Sequence, residues 1–471
     1  MSQVGRISGP LLTANLERNG IDLKISNTVS SSPVLKFDVI NNRIGIVKDS
    51  PIADLDIADV GTAEWEQQQK FTPSDSTPYQ GYGQSLDISG EYAVVAERNR
   101  DVGSNNNQGK VYIYKRTGSD WTELQQLTAS DGLANDAFGG AVAISGNTLV
   151  VTARGVDIGG QSGVGAVYVY TRDGDTWTQQ GSRITADTPI SNRSWGVSVD
   201  ISGDTIVVGA EGISSGSGGD IGKQGSAYVF TRSGNTWTQQ QILESPTPAN
   251  REYFGHDVGI SGDTIVVGAY YRDKGAIVQA GSGFVFSRSG STWTQLQELT
   301  ADDPGQPFQF GEQVSINGNY IAVSAPRWGP GISGQFNHGA VYVYYKSGTT
   351  FTQQQKITAD DPDNNDNFGE SLDISGDLIV AGSRANDLGA GAYSGTAYVL
   401  RRSGSTWAIT NKFAPTDLQS YDDFGNNVAV DDNSFVMTAS GSPSGTFIGA
   451  VYAFAFSNPD NVLNTTNLIA T

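Results

Sequence analysis

The sequence contains no cysteine and only two histidines, His256 and His338, far apart in the chain. Without thiols there is no disulfide framework and no thiolate metal site. With two separated imidazoles, a histidine-based triad or a histidine-rich metal centre is implausible. Basic residues are scarce: 29 Lys and Arg stand against 49 Asp and Glu, a net charge of -20. That balance argues against gripping a nucleic-acid backbone, which needs clustered cations. No apolar run approaches the ~18 residues of a membrane span. The first twenty residues lack the basic-then-apolar order of an export signal. The expectation is a soluble protein that no such signal exports and that does not insert in a membrane. No glycine-rich phosphate loop joins a strand to a helix, and neither a cofactor nor a metal site is expected.

What the chain has is glycine, 59 residues of it, and a repeat. An aromatic-Gly pair recurs at Tyr82, Phe138, Trp195, Phe254, Phe310, Phe368 and Phe424, about 57 residues apart. A second landmark stands three residues after a glycine: Tyr112, Tyr168, Tyr228, Phe284, Tyr342, Tyr398 and Tyr452. A third is Trp65, Trp121, Trp177, Trp237, Trp293, Phe351 and Trp407, usually followed by Thr and Gln.

Each unit reads as four strands: the aromatic-Gly strand, an Ile-Val-Val strand, a Tyr-Val-Tyr strand and a Trp-Thr-Gln-Gln strand. Alternation and β-branched residues support all four, and the array shows no helical period. The fold class is therefore all-β, a seven-bladed β-propeller of four-stranded blades spanning 61–456. A Trp strand precedes the first aromatic-Gly strand, and the last unit lacks one. The Trp65 strand is thus expected to complete the seventh blade and close the ring, leaving no open edge.

Residues 1–60 lie outside the array. Pro10 to Gly20 reads as a short helix. Val34–Val39 and Arg43–Val47 form a hairpin about Asn41-Asn42, and Pro51–Ile57 is a further extended piece. So little structure buries too little surface to stand alone. It is expected to pack on another chain, and the resemblance given below implies that it is a small attachment or oligomerisation module. Residues 457–471 are a tail.

In the array, the first-to-second and third-to-fourth connections are tight Ser-Gly turns, so they share one plain face. The long, variable connections share the other face, where recognition is expected. The off-pattern large residues of those loops are the candidate ligand-binding set: Arg98, Arg100, Arg193, Tyr270, Tyr271, Arg272, Arg327, Trp328, Phe336, His338 and Tyr393. Such side chains offer stacking area and forked donors to sugars or protein hot spots; alternatively they fill gaps between blades. Trp195, in the aromatic-Gly slot, is read as core. The acidic loop from Asp360 to Asp366 has oxygen ligands enough for a cation, but its plainer reading is a solvated loop.

The aromatic-Gly strands, Val267-Gly-Ala269 and Ser324-Ala-Pro326 resemble the FG-GAP repeat of integrin α-subunit propellers, and more closely bacterial and phage variants with Ile-Ser-Gly-Asp-Thr and Trp-Thr-Gln-Gln signatures. Calcium hairpins are common in that family. Here the matching Asp200-Ile-Ser-Gly-Asp204 lacks the intervening carboxylates.

Gly5–Leu12, Asn15–Gly20, Asp38–Ile46 and Leu55–Ile57 resemble the N-terminal module of structural proteins of cyanophages and other marine tailed phages. That resemblance implies a virion protein assembled in the host cytoplasm and joined to other virion proteins through residues 1–60. It also implies a homo-oligomer, a trimer as in many fibres. The functional expectation is a non-enzymatic tail-fibre or other appendage component whose loop face binds a host-surface glycan or protein. The alternatives are a glycan depolymerase using loop carboxylates and a ligand-free connector.

Overall fold

Alternating apolar residues between glycine turns produce antiparallel meanders, and seven of them close into a ring in the computed structural model. It describes residues 24–26, 33–38, 43–45 and 64–457, apart from 76–79, 189, 192, 213–223, 248–250, 304, 306, 330–336, 364, 387–392 and 442–447. Two compact units are present, one of residues 1–62 with 459–471 and one of Ala63–Asn458.

In the first unit, β1 (Lys24–Ser26), β2 (Pro33–Asp38) and β3 (Arg43–Gly45) form an antiparallel sheet. Phe37 stands opposite Ile44, the hairpin expected about Asn41-Asn42. The expected helix and the Pro51–Ile57 piece lie outside the described residues.

The second unit is the propeller. Its first blade runs Tyr82–Ser89, Tyr92–Glu97, Lys110–Thr117 and Asp120–Leu127, from the axis outward. Five more four-stranded blades follow in the same order. Blade 7 takes three strands, Phe424–Asp431, Ser434–Ala439 and Ala450–Ser457, from the end of the array. Its fourth is β4 (Glu64–Phe71), with Trp65 opposite Phe456 and Lys70 opposite Tyr452. The expected closure is thus present. The inner strands join as well: Gly90 N–H donates to Asp431 Oδ2 (2.5 Å), and Asn427 Nδ2 to the Gly83 carbonyl (3.0 Å).

Each landmark has a mechanical cause. The aromatic of the Gly pair meets the Tyr of the third strand nearly edge-on, as Phe138 does Tyr168 (5.4 Å, 75°) and Phe368 does Tyr398 (4.9 Å, 79°). Trp195 takes this slot in blade 3 and is 3% exposed, so the core reading holds. The glycines let blades touch: a Cβ on Gly281 (φ +82°) would sit 2.0 Å from the Phe310 carbonyl oxygen. In blades 4, 5 and 6 the inner ladder begins only after the aromatic-Gly pair, at Val258, Val314 and Ser371. The aromatic instead bridges the preceding blade, as Phe310 does Gly281.

The Gln of the Trp strand clips one blade to the next. Gln69, Gln125, Gln241, Gln297 and Gln355 each donate to the carbonyl of the following Trp (or Phe351) and accept its N–H, at 2.7–3.0 Å. On the tight-turn face, Arg232 and Arg288 pair with Asp204 and Asp263 and reach back to Thr148 and Thr205 of the preceding blade.

Candidate functional site

Two places on the propeller gather chemistry: the axial channel and the long-loop face. The inner strands of all seven blades line the channel, which encloses about 290 Å³. Four aspartates point into it, Asp87, Asp200, Asp257 and Asp373. Burial, joined by repulsion from nearby carboxylates, holds Asp87 well above the usual carboxylate range and lifts Asp200 to about 7 and Asp257 and Asp373 to about 6. Raised carboxyls in a cavity suggest catalysis, but their hydrogen bonds show another task. Asp200 accepts the Ile201 N–H (2.7 Å) and, across the seam, the Ile260 N–H (2.7 Å). Asp87 does the same with Ile88 and Ile144, and Asp373 with Ile374 and Val430. Asp257 accepts the Val314 N–H at 2.8 Å. They tie adjacent inner strands that have no ladder between them.

Around the long-loop mouth, the second residue after the aromatic meets the residue just past the second strand in blades 4, 6 and 7. In blade 6 these are Glu370 and Arg384, 2.6 Å apart; in blade 7, Asn426 donates to Ser440 at 2.8 Å. His256 of blade 4 pairs with Glu211 of blade 3 at 2.7 Å and lies 4.4 Å from the Tyr270 ring. Burial disfavours the charged imidazole, yet the Glu211 carboxylate prevails and His256 titrates above its ordinary value.

The sequence-derived candidates divide. Arg272 is withdrawn from the ligand-binding set: it is 8% exposed, ion-paired to Glu252 and Glu298, and donates to Ser245 and Thr247. His338 is likewise buried, 6% exposed, and its backbone carbonyl receives the Phe368 N–H at 3.0 Å. Arg98 is half-buried, just past the second strand of blade 1. Arg100 is tied to Asp75, and Arg327 donates to Gln309 Oε1 at 2.6 Å. Trp328 is half-buried, its Nε1 donating to Asp303 (3.2 Å) and its face covered by Lys356 Nζ at 4.3 Å from the centroid. Arg193 lies near Tyr228. Phe336 lies outside the described residues. Tyr270 and Tyr271 form a half-buried cluster with Tyr253, their centroids 4.7–5.5 Å apart.

Tyr393 stands apart. It is 45% exposed and stacks on Tyr421, also 45% exposed, at 5.5 Å and 13°. Both have left-handed backbones, φ +58° and +70°. At the same place between blades 1 and 2, and between 5 and 6, the repeat has Asn pairs: Asn107 with Asn135 (3.1 Å) and Asn337 with Asn365 (2.9 Å), also at positive φ. Asn adopts that backbone readily; a bulky ring there is an outlier. Sequence reading missed Tyr421, although the residue three before the aromatic-Gly pair is Asn in blades 2, 3 and 6 and Tyr here.

The acidic loop turns its carboxylates to protein donors. Asp361 pairs with Lys412, and Asp366 accepts from the Asp363 N–H (2.8 Å) and Asn386 (3.0 Å). No group of three or more potential metal ligands occurs among the described residues.

The model of the FG-GAP repeat matches residues 65–114, 121–170, 177–230, 237–286, 293–344 and 351–400. Each matched segment begins on the outermost strand of one blade and ends on the third strand of the next, so the segments straddle the seams. No curated protein matches the chain.

Proposed function

Since this chain belongs to the FG-GAP repeat family, whose fold is a scaffold for many sites, we propose from its own surface that it is a non-enzymatic binding protein whose long-loop face takes a host-surface glycan. In this reading it is a tail-fibre or other appendage component of a phage virion, assembled in the host cytoplasm. Residues 1–60 attach it to other virion proteins and to further copies of itself, a trimer in this reading.

One observation supports the binding role above the others. Tyr393 and Tyr421 hold left-handed backbones, where the seams between blades 1 and 2 and between 5 and 6 use Asn, and display a parallel aromatic pair to solvent. Strain retained at an exposed site points to function, and a flat pair of tyrosines suits the apolar face of a pyranose. Weak sites of this kind gain from repetition in an oligomer. The channel aspartates do not favour a depolymerase, because backbone N–H groups already occupy them.

The test is binding of the full chain to host envelope polysaccharide, compared with the Tyr393→Asn, Tyr421→Asn double variant. Loss of binding in a folded double variant is expected. Undiminished binding would overturn the assignment of the platform, and release of reducing ends or unsaturated products would overturn the non-enzymatic role.

A further inference from the structure

The repeat places arginine just past the second strand three times, at Arg98, Arg154 and Arg384, in blades 1, 2 and 6. Blade 6 supplies the counter-charge: Glu370, two residues after Phe368, pairs with Arg384 at 2.6 Å. The equivalent residue is Gln84 in blade 1 and Gly140 in blade 2. Gly140 is not there for backbone reasons, since its φ is ordinary. A Cβ at this channel-lining position would meet Thr152 Oγ1 at 3.1 Å and the Arg154 Cγ at 3.7 Å, so blade 2 carries no side chain there to face Arg154. Gln84 adds a buried Oε1 with no hydrogen-bond partner.

Arg98 and Arg154 take equivalent positions in adjacent blades, and both are half-buried. Burial, and then repulsion from Arg154, brings Arg98 down to about 10. Among the described residues neither has an ion-pair or hydrogen-bond partner. In a chain with 49 carboxylates against 29 cations, two adjacent unpaired arginines are unexpected. Uncompensated, partly desolvated like charges are unfavourable unless an anion joins them.

We propose that Arg98 and Arg154 form an oxyanion-binding site at the rim of the axial channel, taking the carboxylate or sulfate of an acidic glycan. That the anion belongs to a glycan rests on the function proposed above; that the site takes an oxyanion does not. Two forked donors from adjacent blades suit a planar carboxylate or a tetrahedral sulfate. Gly140 keeps the approach open where the other blades close it with a side chain.

Calorimetric titration of the full chain at low salt tests this with four probes: a hexuronate oligosaccharide, a sulfated oligosaccharide, a neutral hexose oligosaccharide and inorganic phosphate. The decisive variant is Gly140→Glu, which restores the pair seen in blade 6. Arg154→Gln is the second variant should the first fail to fold, and thermal melting checks both. An acidic oligosaccharide is expected to bind at least tenfold more weakly to either variant, with the neutral one unaffected. Binding of phosphate alone, lost in the variants, would uphold the oxyanion site and overturn the glycan source. No binding of any anion, or binding that neither variant weakens, would overturn the site itself. Glycan binding that persists in these variants but is lost in Tyr393→Asn, Tyr421→Asn would do the same and leave the aromatic platform standing.

Discussion

Gln125 and Trp177 exchange two hydrogen bonds across the seam between blades 1 and 2. Gln125 Nε2 donates to the Trp177 carbonyl at 2.8 Å, and Oε1 accepts the Trp177 N–H at 2.9 Å. The arrangement satisfies an outer-strand peptide that no neighbouring strand reaches. Gln125→Ala removes both bonds and is expected to destabilise the propeller by about 1–3 kcal/mol. A denaturation midpoint shifted down at constant slope checks it. An unmoved midpoint would show that water replaces the clip without loss.

The seam between blades 2 and 3 lacks that clip. Gly181 occupies the Gln position, the outer strand stops at Gln179, and Trp237 is only half-buried. Gln180 makes side-chain bonds in its place, accepting from Trp237 Nε1 at 3.0 Å and donating to Asn235 Oδ1 at 3.1 Å. Neither satisfies the Trp237 peptide. Amides of Thr176–Gln179 and Thr236–Gln239 are expected to exchange faster than those of the other outer strands. Hydrogen exchange read strand by strand checks this, and uniform protection would refute it.

Ring closure depends on one strand from the other end of the array. Trp65 is 6% exposed and packs on Phe435 (5.1 Å) and Phe456 (5.4 Å). Trp65→Ala is expected to cost about 3–5 kcal/mol. Deleting residues 1–71 leaves Ala450–Ser457 as an open edge, so that variant is expected to aggregate. Size-exclusion chromatography separates that outcome from a monomeric product with an incomplete seventh blade.

Most of this architecture is legible in the sequence, because each landmark has a strict local cause. The aromatic-Gly pair needs a positive φ, the Tyr strand needs its edge-on partner, and Gln must follow Trp by four residues to reach the next blade. The candidate site was less legible. Arg272 and Trp328 are large, polar-tipped loop residues like Tyr393, yet the first is buried in ion pairs and the second is covered by Lys356. Residue type alone cannot distinguish an anchor from a contact. The informative signals were departures from the repeat, with Gly140 where other blades carry a side chain and Tyr421 where blades 2, 3 and 6 carry Asn.

The channel aspartates set a pH dependence. Their folded values are raised above the unfolded ones, so between about pH 4 and 7 the folded state binds more protons than the unfolded state. Stability from these groups is therefore greatest at the acidic end of that window and falls as pH rises through it. Carboxylates held low by lysines, such as Asp303 beside Lys356, act the other way, but only below about pH 4. The melting temperature is expected to be higher near pH 5 than near pH 8. A profile that rises across this window would show that the channel carboxyls are ionised throughout.

Tyr393 and Tyr421 give the closing prediction, since platform and strain are the same feature. A left-handed backbone disfavours a tyrosine by on the order of 1 kcal/mol relative to Asn. The Asn107–Asn135 pair shows what the seam looks like without that strain. The double variant Tyr393→Asn, Tyr421→Asn is therefore expected to melt at a higher temperature than the parent, by a few degrees, while losing ligand. Loss of the stacking contact opposes the gain, but at 45% exposure each ring buries only part of its surface. Gain of stability with loss of binding is the mark of a site kept for function. A destabilised variant would instead assign the pair to packing between blades 6 and 7, and the platform would lose its principal support.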